Sequence, residues 1–185
     1  MPKIKKVSSL FRLLFQVIFI LYPLLLIAFW IHAPDPIGFH PLGILMNFIS
    51  DDITRNSWYQ NIHSLAPINK FLGLLISLIP FIITEFILYF LIKLFALYKQ
   101  AEIFSLKNVN YIKKIGYTLL IGQLLNPIYQ AFMTVNLSWS IHPRYLSISV
   151  SSTHIEVLLT ALLIILISWI MAEGCKLREE QQLTI

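Results

Sequence analysis

The chain has 185 residues, of which 57% are apolar and only 12% charged, and its mean hydropathy is +0.75. A soluble domain of this size carries about twice that charged share, which excludes a water-soluble globule, and so much apolar surface also excludes a disordered chain. The 14 Lys and Arg outnumber the 9 Asp and Glu, for a net charge of +5, and one cysteine excludes a disulfide framework and every multi-cysteine metal pattern.

Four apolar stretches, residues 13–31, 71–92, 115–137 and 155–172, are long enough to cross a hydrocarbon core of about 30 Å, which takes about 20 helical residues. Isolated spans in lipid have to be helices, because a helix satisfies its own backbone. Runs such as Val157–Ile167 lack the alternation of barrel strands. The expected fold is an all-α membrane protein: one domain, a four-transmembrane-helix bundle with a small extracytoplasmic β element. The first stretch follows a basic start, Met1–Lys6, as a signal peptide would. It is too long for a signal core and ends in the bulky Phe29-Trp30-Ile31-His32-Ala33, so it reads as a retained anchor.

The first outer loop, 32–70, carries Pro34, Pro36 and Pro41 and then Asp51, Asp52 and Arg55; a loop this long has structure of its own or a function. In the second span Gly73, Ser77 and Thr84 form a small-residue stripe. Glu85 is the single ionisable residue at depth, and such a residue is a functional candidate by default. In the cytoplasmic loop 93–114, Ser105 is an expected N-cap, followed by a helix lying at the membrane surface and feeding the third span. Its Lys107, Lys113 and Lys114 suit anionic lipid head groups or a cytoplasmic partner, although ordinary loading of the cytoplasmic side accounts for them as well.

In the third span Gln123, Asn126 and Gln130 fall within about 60° of one another at 100° per residue. Counted from Lys93 and Lys114, Glu85 and Gln123 both lie about 12–13 Å from the inner boundary. A protonated Glu85 hydrogen-bonded to Gln123 is the expectation, with a proton or ion relay as the alternative. Pro23, Pro80 and Pro127 kink or locally open their helices, and Asn126 can cover a carbonyl that Pro127 frees.

The second outer loop, 138–154, contains Tyr145–Ser151, with Leu146, Ile148 and Val150 on one face and Tyr145, Ser147, Ser149 and Ser151 on the other. That is strand periodicity, and a lone strand needs a partner, expected in the first outer loop. Thr153-x-x-Glu156 reads as a capping box for the fourth span rather than as a ligand site. Ala161, Ser168 and Ala172 form a second small-residue stripe. Trp30 and Trp139 mark outer ends of helices and Trp169 an inner one, as interfacial anchors.

Eleven Lys and Arg lie in the N-terminal segment, the loop 93–114 and the tail, against three (Arg55, Lys70 and Arg144) in the other two loops. Both termini are therefore expected in the cytoplasm. The basic excess is topological, so no direct nucleic-acid binding is expected. The five histidines, His32, His40, His63, His142 and His154, are scattered without ligand spacing, so no metal site is expected even with Asp35, Asp51 and Asp52 nearby. Cys175, near the inner face, reads as an incidental thiol. With no nucleophile elbow, zinc-protease, phosphate-loop or dinucleotide motif, neither catalysis nor a cofactor is expected.

Leu91–Gly116 (around Glu102-Ile103-Phe104-Ser105, Asn108-Val109 and Ile112-Lys113-Lys114-Ile115-Gly116), Asn126-Pro127, Ser147-Ile148-Ser149, Ser168-Trp169, Glu173-Gly174 and Glu179-Glu180-Gln181 together resemble a bacterial multi-pass membrane family catalogued as domain of unknown function 2975. The resemblance covers the second to fourth spans and the tail; the first span and its loop match in hydropathy alone. It implies a bacterial inner-membrane protein with no established activity, encoded beside a small helix-turn-helix regulator, and it supplies no functional residues to carry over. Two functions follow as expectations. One is a non-enzymatic membrane regulator or sensor whose loop 93–114 and tail Glu173–Ile185 bind that cytoplasmic partner. The other is a small transporter or channel-like homo-oligomer lined by Glu85, Gln123, Asn126 and Gln130.

Overall fold

A computed structural model describes residues 2–32, 49–62, 65–100 and 105–183. Pro34, Asp35, Pro36, His40, Pro41, His63 and Glu102-Ile103-Phe104 lie outside the described residues. Helix α1 runs Pro2–His32, the short α2 Asp51–Thr54, α3 Pro67–Lys99, α4 Leu106–Leu137 and α5 Ser152–Leu183, with 3-10 turns at Ser57–Asn61 and Ser138–Ser140. All four expected long helices form, each extending past its apolar stretch. Hydropathy marks the part suited to lipid, whereas the backbone goes on hydrogen-bonding into the charged flanks.

Three of them, α1, α3 and α5, are long and apolar enough to cross a membrane, with only 17% of the most apolar stretch of each buried. Their outward surfaces are apolar, as at Leu10, Leu24, Phe71, Phe86, Leu163 and Ile170, a surface that lipid solvates and water does not. Helix α4 is not among the three: its lysines, amides and hydroxyls lower its hydropathy. The four-span expectation is thus met by composition in three helices. The β element is corrected, since no strand occurs among the described residues.

Ser105 caps α4 as expected, its Oγ accepting the Asn108 N–H at 3.4 Å. The helix runs on into the expected third span without a separate surface segment. Helix α5 starts at Ser152, so Thr153 lies inside the first turn and not at the cap.

The chain divides into two compact units. The first comprises Met1–Ile20, Ile83–Gln123 and Thr153–Ile185. There Phe95 stacks on Phe11 at 5.3 Å, and Phe90 meets Tyr111 at 6.4 Å. A Cβ on Gly116 would lie 2.7 Å from Ile165 Cγ1 and 3.2 Å from the Ala161 carbonyl, so the absence of a side chain lets α4 and α5 approach. Ala161 and Ser168 of the expected stripe are fully buried.

The second unit comprises Leu21–Ile82 and Leu124–Ser152 and holds the main core: Leu26 and Trp30 of α1, Ile53 of α2, Trp58 of the first 3-10 turn, and Tyr129 and Met133 of α4. The first interhelical loop therefore does have structure of its own, and it delivers Ile49, Ile53, Trp58, Tyr59, Ile62 and Leu65 to that core. Asp51 and Asp52 occupy the first turn of α2, where the helix dipole favours a carboxylate. Trp30 is no lipid-facing anchor. It is 2% exposed, its ring lies over Gly73, and its Nε1 donates to Ser77 Oγ at 3.1 Å. Gly73 and Ser77 of the expected stripe on α3 are the seat of this indole.

A Cβ at Gly73 would collide with the Trp30 ring, and a rigid indole cannot yield as a flexible chain can. Gly73→Ala should destabilise the protein by about 1–3 kcal/mol, and Ser77→Ala by about 1 kcal/mol through a buried, unsatisfied indole N–H. Gly174 has nothing within 4 Å of its Cβ position, so Gly174→Ala should be neutral or stabilising, by up to about 1 kcal/mol. Thermal unfolding of the three variants in detergent checks the opposite signs.

Candidate functional site

The polar face of α4 is the most elaborate feature of the second unit. Gln130, Thr134 and Ser138 stand four residues apart and so form one stripe along α4 and the turn that follows it. Beside them residues 144–151 run back as extended chain without a ladder. Gln130 Oε1 accepts the Ser149 N–H at 2.8 Å and the Ser149 hydroxyl at 3.3 Å. Thr134 Oγ1 donates to the Gln130 carbonyl of its own helix at 2.8 Å and accepts the Ser147 N–H at 3.3 Å. Ser138 Oγ accepts the Tyr145 N–H at 3.0 Å and donates to the Tyr145 carbonyl at 3.1 Å.

The expected alternation is therefore present, but among the described residues its partner is a helix and not the first loop. Tyr145, Ser147 and Ser149 turn their N–H groups to α4, while Leu146, Ile148 and Val150 are 69%, 53% and 75% exposed. The Tyr145 ring stacks on Trp58 at 5.4 Å and 9°, which ties the extended segment to the loop core through a side chain. At the turn, Arg144 lies 3.9 Å from the centre of the Trp139 ring. Burial pushes the Tyr59 phenol above its ordinary value, reinforced by Tyr129.

The expected intramembrane network is not assembled as one. Gln130 serves the extended segment. Glu85 Oε1 is buried and meets no hydrogen-bond donor among the described residues, so the expected bond to Gln123 is not formed there. The reason is azimuth. In the first unit a Cβ on Gly122 would lie 2.7 Å from Ile83 Cγ2, so Ile83 faces α4. Glu85 is about 200° further round α3 and faces away. Equal depth did not imply facing side chains. Asn136, which no sequence argument singled out, joins α4 to α3: its Nδ2 donates to the Asn69 carbonyl at 2.9 Å.

Of the expected lipid- or partner-contacting lysines, Lys107 is exposed. Lys113 Nζ lies 5.8 Å from the Tyr117 ring, and Lys114 Nζ lies 5.6 Å from Phe90 and 5.9 Å from Tyr111. The latter two ammoniums thus rest on aromatic faces. Thr134 and Ser138 were missed as site residues; the signal that could have found them is their four-residue spacing from Gln130.

Residues 55–185 match the family described as Protein of unknown function (DUF2975), and the chain belongs to that family. No curated protein and no solved structure matches it.

The stripe makes a graded prediction. Gln130→Leu leaves the Ser149 N–H without its acceptor and should cost about 1–3 kcal/mol. Ser149→Ala keeps the 2.8 Å backbone bond and should cost less than about 1 kcal/mol. Ser149→Pro removes the N–H itself and should be at least as damaging as Gln130→Leu. Thermal unfolding in detergent ranks them; an Ala variant as damaging as the Pro variant would show that the backbone bond is not the important one.

Proposed function

We propose that this family member is a multi-pass inner-membrane protein whose four long helices all cross the bilayer, acting as a non-enzymatic membrane regulator that binds a small cytoplasmic helix-turn-helix protein. The observation that carries the reading is the use made of α4's polar face. Gln130, Thr134 and Ser138 hold an extended backbone, so these groups lower the hydropathy of α4 while serving protein partners. A helix with its polar stripe covered in this way can cross a bilayer. The transporter alternative, built on Glu85, Gln123, Asn126 and Gln130, loses Gln130 from its path.

The surfaces left for a partner are at the charged ends. Helix α5 has 32 residues, about 48 Å, against a hydrocarbon core of about 30 Å. The surplus is its C-terminal part, where Glu173, Lys176, Arg178, Glu179 and Glu180 are exposed and Lys176 pairs weakly with Glu173 at 3.3 Å. Such an arm, beside the basic start of α4, suits a soluble protein. The eleven-to-three division of Lys and Arg supports placing both ends in the cytoplasm.

In a Cys175→Ser background, Ser57→Cys should react with an impermeant thiol reagent added to intact cells and Ser105→Cys should not; the reverse pattern inverts the topology, and labelling of both removes the four-span reading. Glu179→Lys with Glu180→Lys should abolish co-purification of the neighbouring helix-turn-helix protein while leaving the chain in the membrane fraction. Undiminished co-purification would take the arm out of the interface.

A further inference from the structure

A groove of about 670 Å³ opens between α1 and α3 within the first unit, lined by Arg12, Gln16, Phe19 and Ile20 on one side and Tyr89, Ile92, Lys93 and Ala96 on the other. Its charge is of one sign: two cations line it and no carboxylate does, Glu85 included. Arg12 Nε is buried and has no hydrogen-bond partner among the described residues. Lys93 Nζ lies 5.5 Å from the centre of the Tyr89 ring, and neither cation pairs with a carboxylate among the described residues. A buried guanidinium nitrogen without an acceptor is costly, and a phosphate supplies acceptors in the geometry that arginine favours.

Depth agrees with charge. Arg12 immediately precedes the apolar stretch 13–31, and Lys93 immediately follows 71–92. The stacking of Phe11 on Phe95 at 5.3 Å sets the two helices so that Arg12 and Lys93 lie within about a helical turn of the same level. Toward the bilayer centre, Phe19 and Ile20 lie about 11–12 Å beyond Arg12 along α1. Cations thus stand at head-group depth and an apolar track leads inward, the arrangement of an amphiphile.

We propose that this groove holds one anionic phospholipid, its phosphate on Arg12 and Lys93 and an acyl chain against Phe19, Ile20 and Ile92. The proposal rests on the membrane reading above and not on the partner reading. The lysines at 107, 113 and 114 are outside it.

The full chain, purified in mild detergent, is titrated with phosphatidylglycerol, phosphatidylcholine or inorganic phosphate, with thermal stability and native mass spectrometry as readouts. Phosphatidylglycerol should bind as one retained adduct and raise the melting temperature saturably, and the other two should not. Arg12→Gln with Lys93→Gln should weaken that binding by roughly tenfold or more, without lowering stability in the lipid's absence. Ala96→Phe should fill the head-group end of the groove with both charges intact, which covers the case of a double variant that fails to fold. Lys107→Gln with Lys113→Gln and Lys114→Gln should leave binding unchanged. An equal response to phosphatidylcholine, the same shift with inorganic phosphate, or undiminished binding in both groove variants would overturn the proposal. Recovery of the wild-type chain in the soluble fraction would overturn the membrane reading with it, whereas membrane recovery without lipid binding removes the groove alone.

Discussion

An extended backbone laid against a helix has to find its hydrogen-bond partners in side chains, because the helix has already used its own amides. The return segment 144–151 depends on this constraint. Four residues of α-helix rise about 6.0 Å and two residues of extended chain about 6.6 Å. A stripe at every fourth helical position therefore matches every second N–H of an antiparallel extended chain. The three rungs, Ser138–Tyr145, Thr134–Ser147 and Gln130–Ser149, accumulate about 1.2 Å of mismatch. The next rung would fall at Asn126 and Ser151, where the chain turns into α5. Side-chain reach follows the drift: the short serine and threonine hydroxyls serve the first two rungs and the longer glutamine the third.

Both halves of this arrangement were visible in the sequence, but the pairing was not. Alternation of Leu146, Ile148 and Val150 with Tyr145, Ser147 and Ser149 correctly identified extended chain and its two faces. Gln130 stood out as a polar residue in an apolar helix. Strand periodicity points to another strand as the partner, and helical periodicity groups Gln130 with Glu85 and Gln123. A period of two and a period of four meet only when the two elements lie side by side, which is a tertiary fact. Hydropathy scores the Gln, Thr and Ser of α4 by what they cost in lipid, not by whether a backbone occupies their lone pairs.

Local chemistry was legible where a single residue type suffices. Ser105 caps α4 because its hydroxyl reaches an amide three residues on. Gly73 and Ser77 marked a close approach, and the structure supplies the Trp30 indole that fills it. The aromatic-belt reading of Trp30 failed because an indole at a helix end is equally suited to an interface and to a core; the small residues at Gly73 and Ser77 decide for the core. Glu85 and Gln123 show the complementary failure. Their depths follow from rise per residue, but facing depends on helix rotation, and the Gly122–Ile83 approach fixes that rotation with Glu85 turned away.

The basic residues pose the same problem in electrostatic form. A Lys and Arg count separates one side of a membrane from the other because each cation resists transfer through lipid wherever it stands in its loop. The count treats Arg12, Lys93, Lys107, Lys113 and Lys114 alike, whereas a binding site requires at least one cation with unmet hydrogen-bonding capacity beside a surface the ligand can cover. Lys93 rests on Tyr89, Lys114 on Phe90 and Tyr111, and Lys113 on Tyr117, so the charge of each is partly met by an aromatic face. Arg12 differs in kind: its Nε is buried, has no acceptor among the described residues, and stands beside an apolar groove. Positive charge at a helix end is needed for topology, but topology does not require a buried guanidinium nitrogen without an acceptor among the described residues. That excess over the topological need distinguishes Arg12 from the other cations and gives the groove its chemical identity.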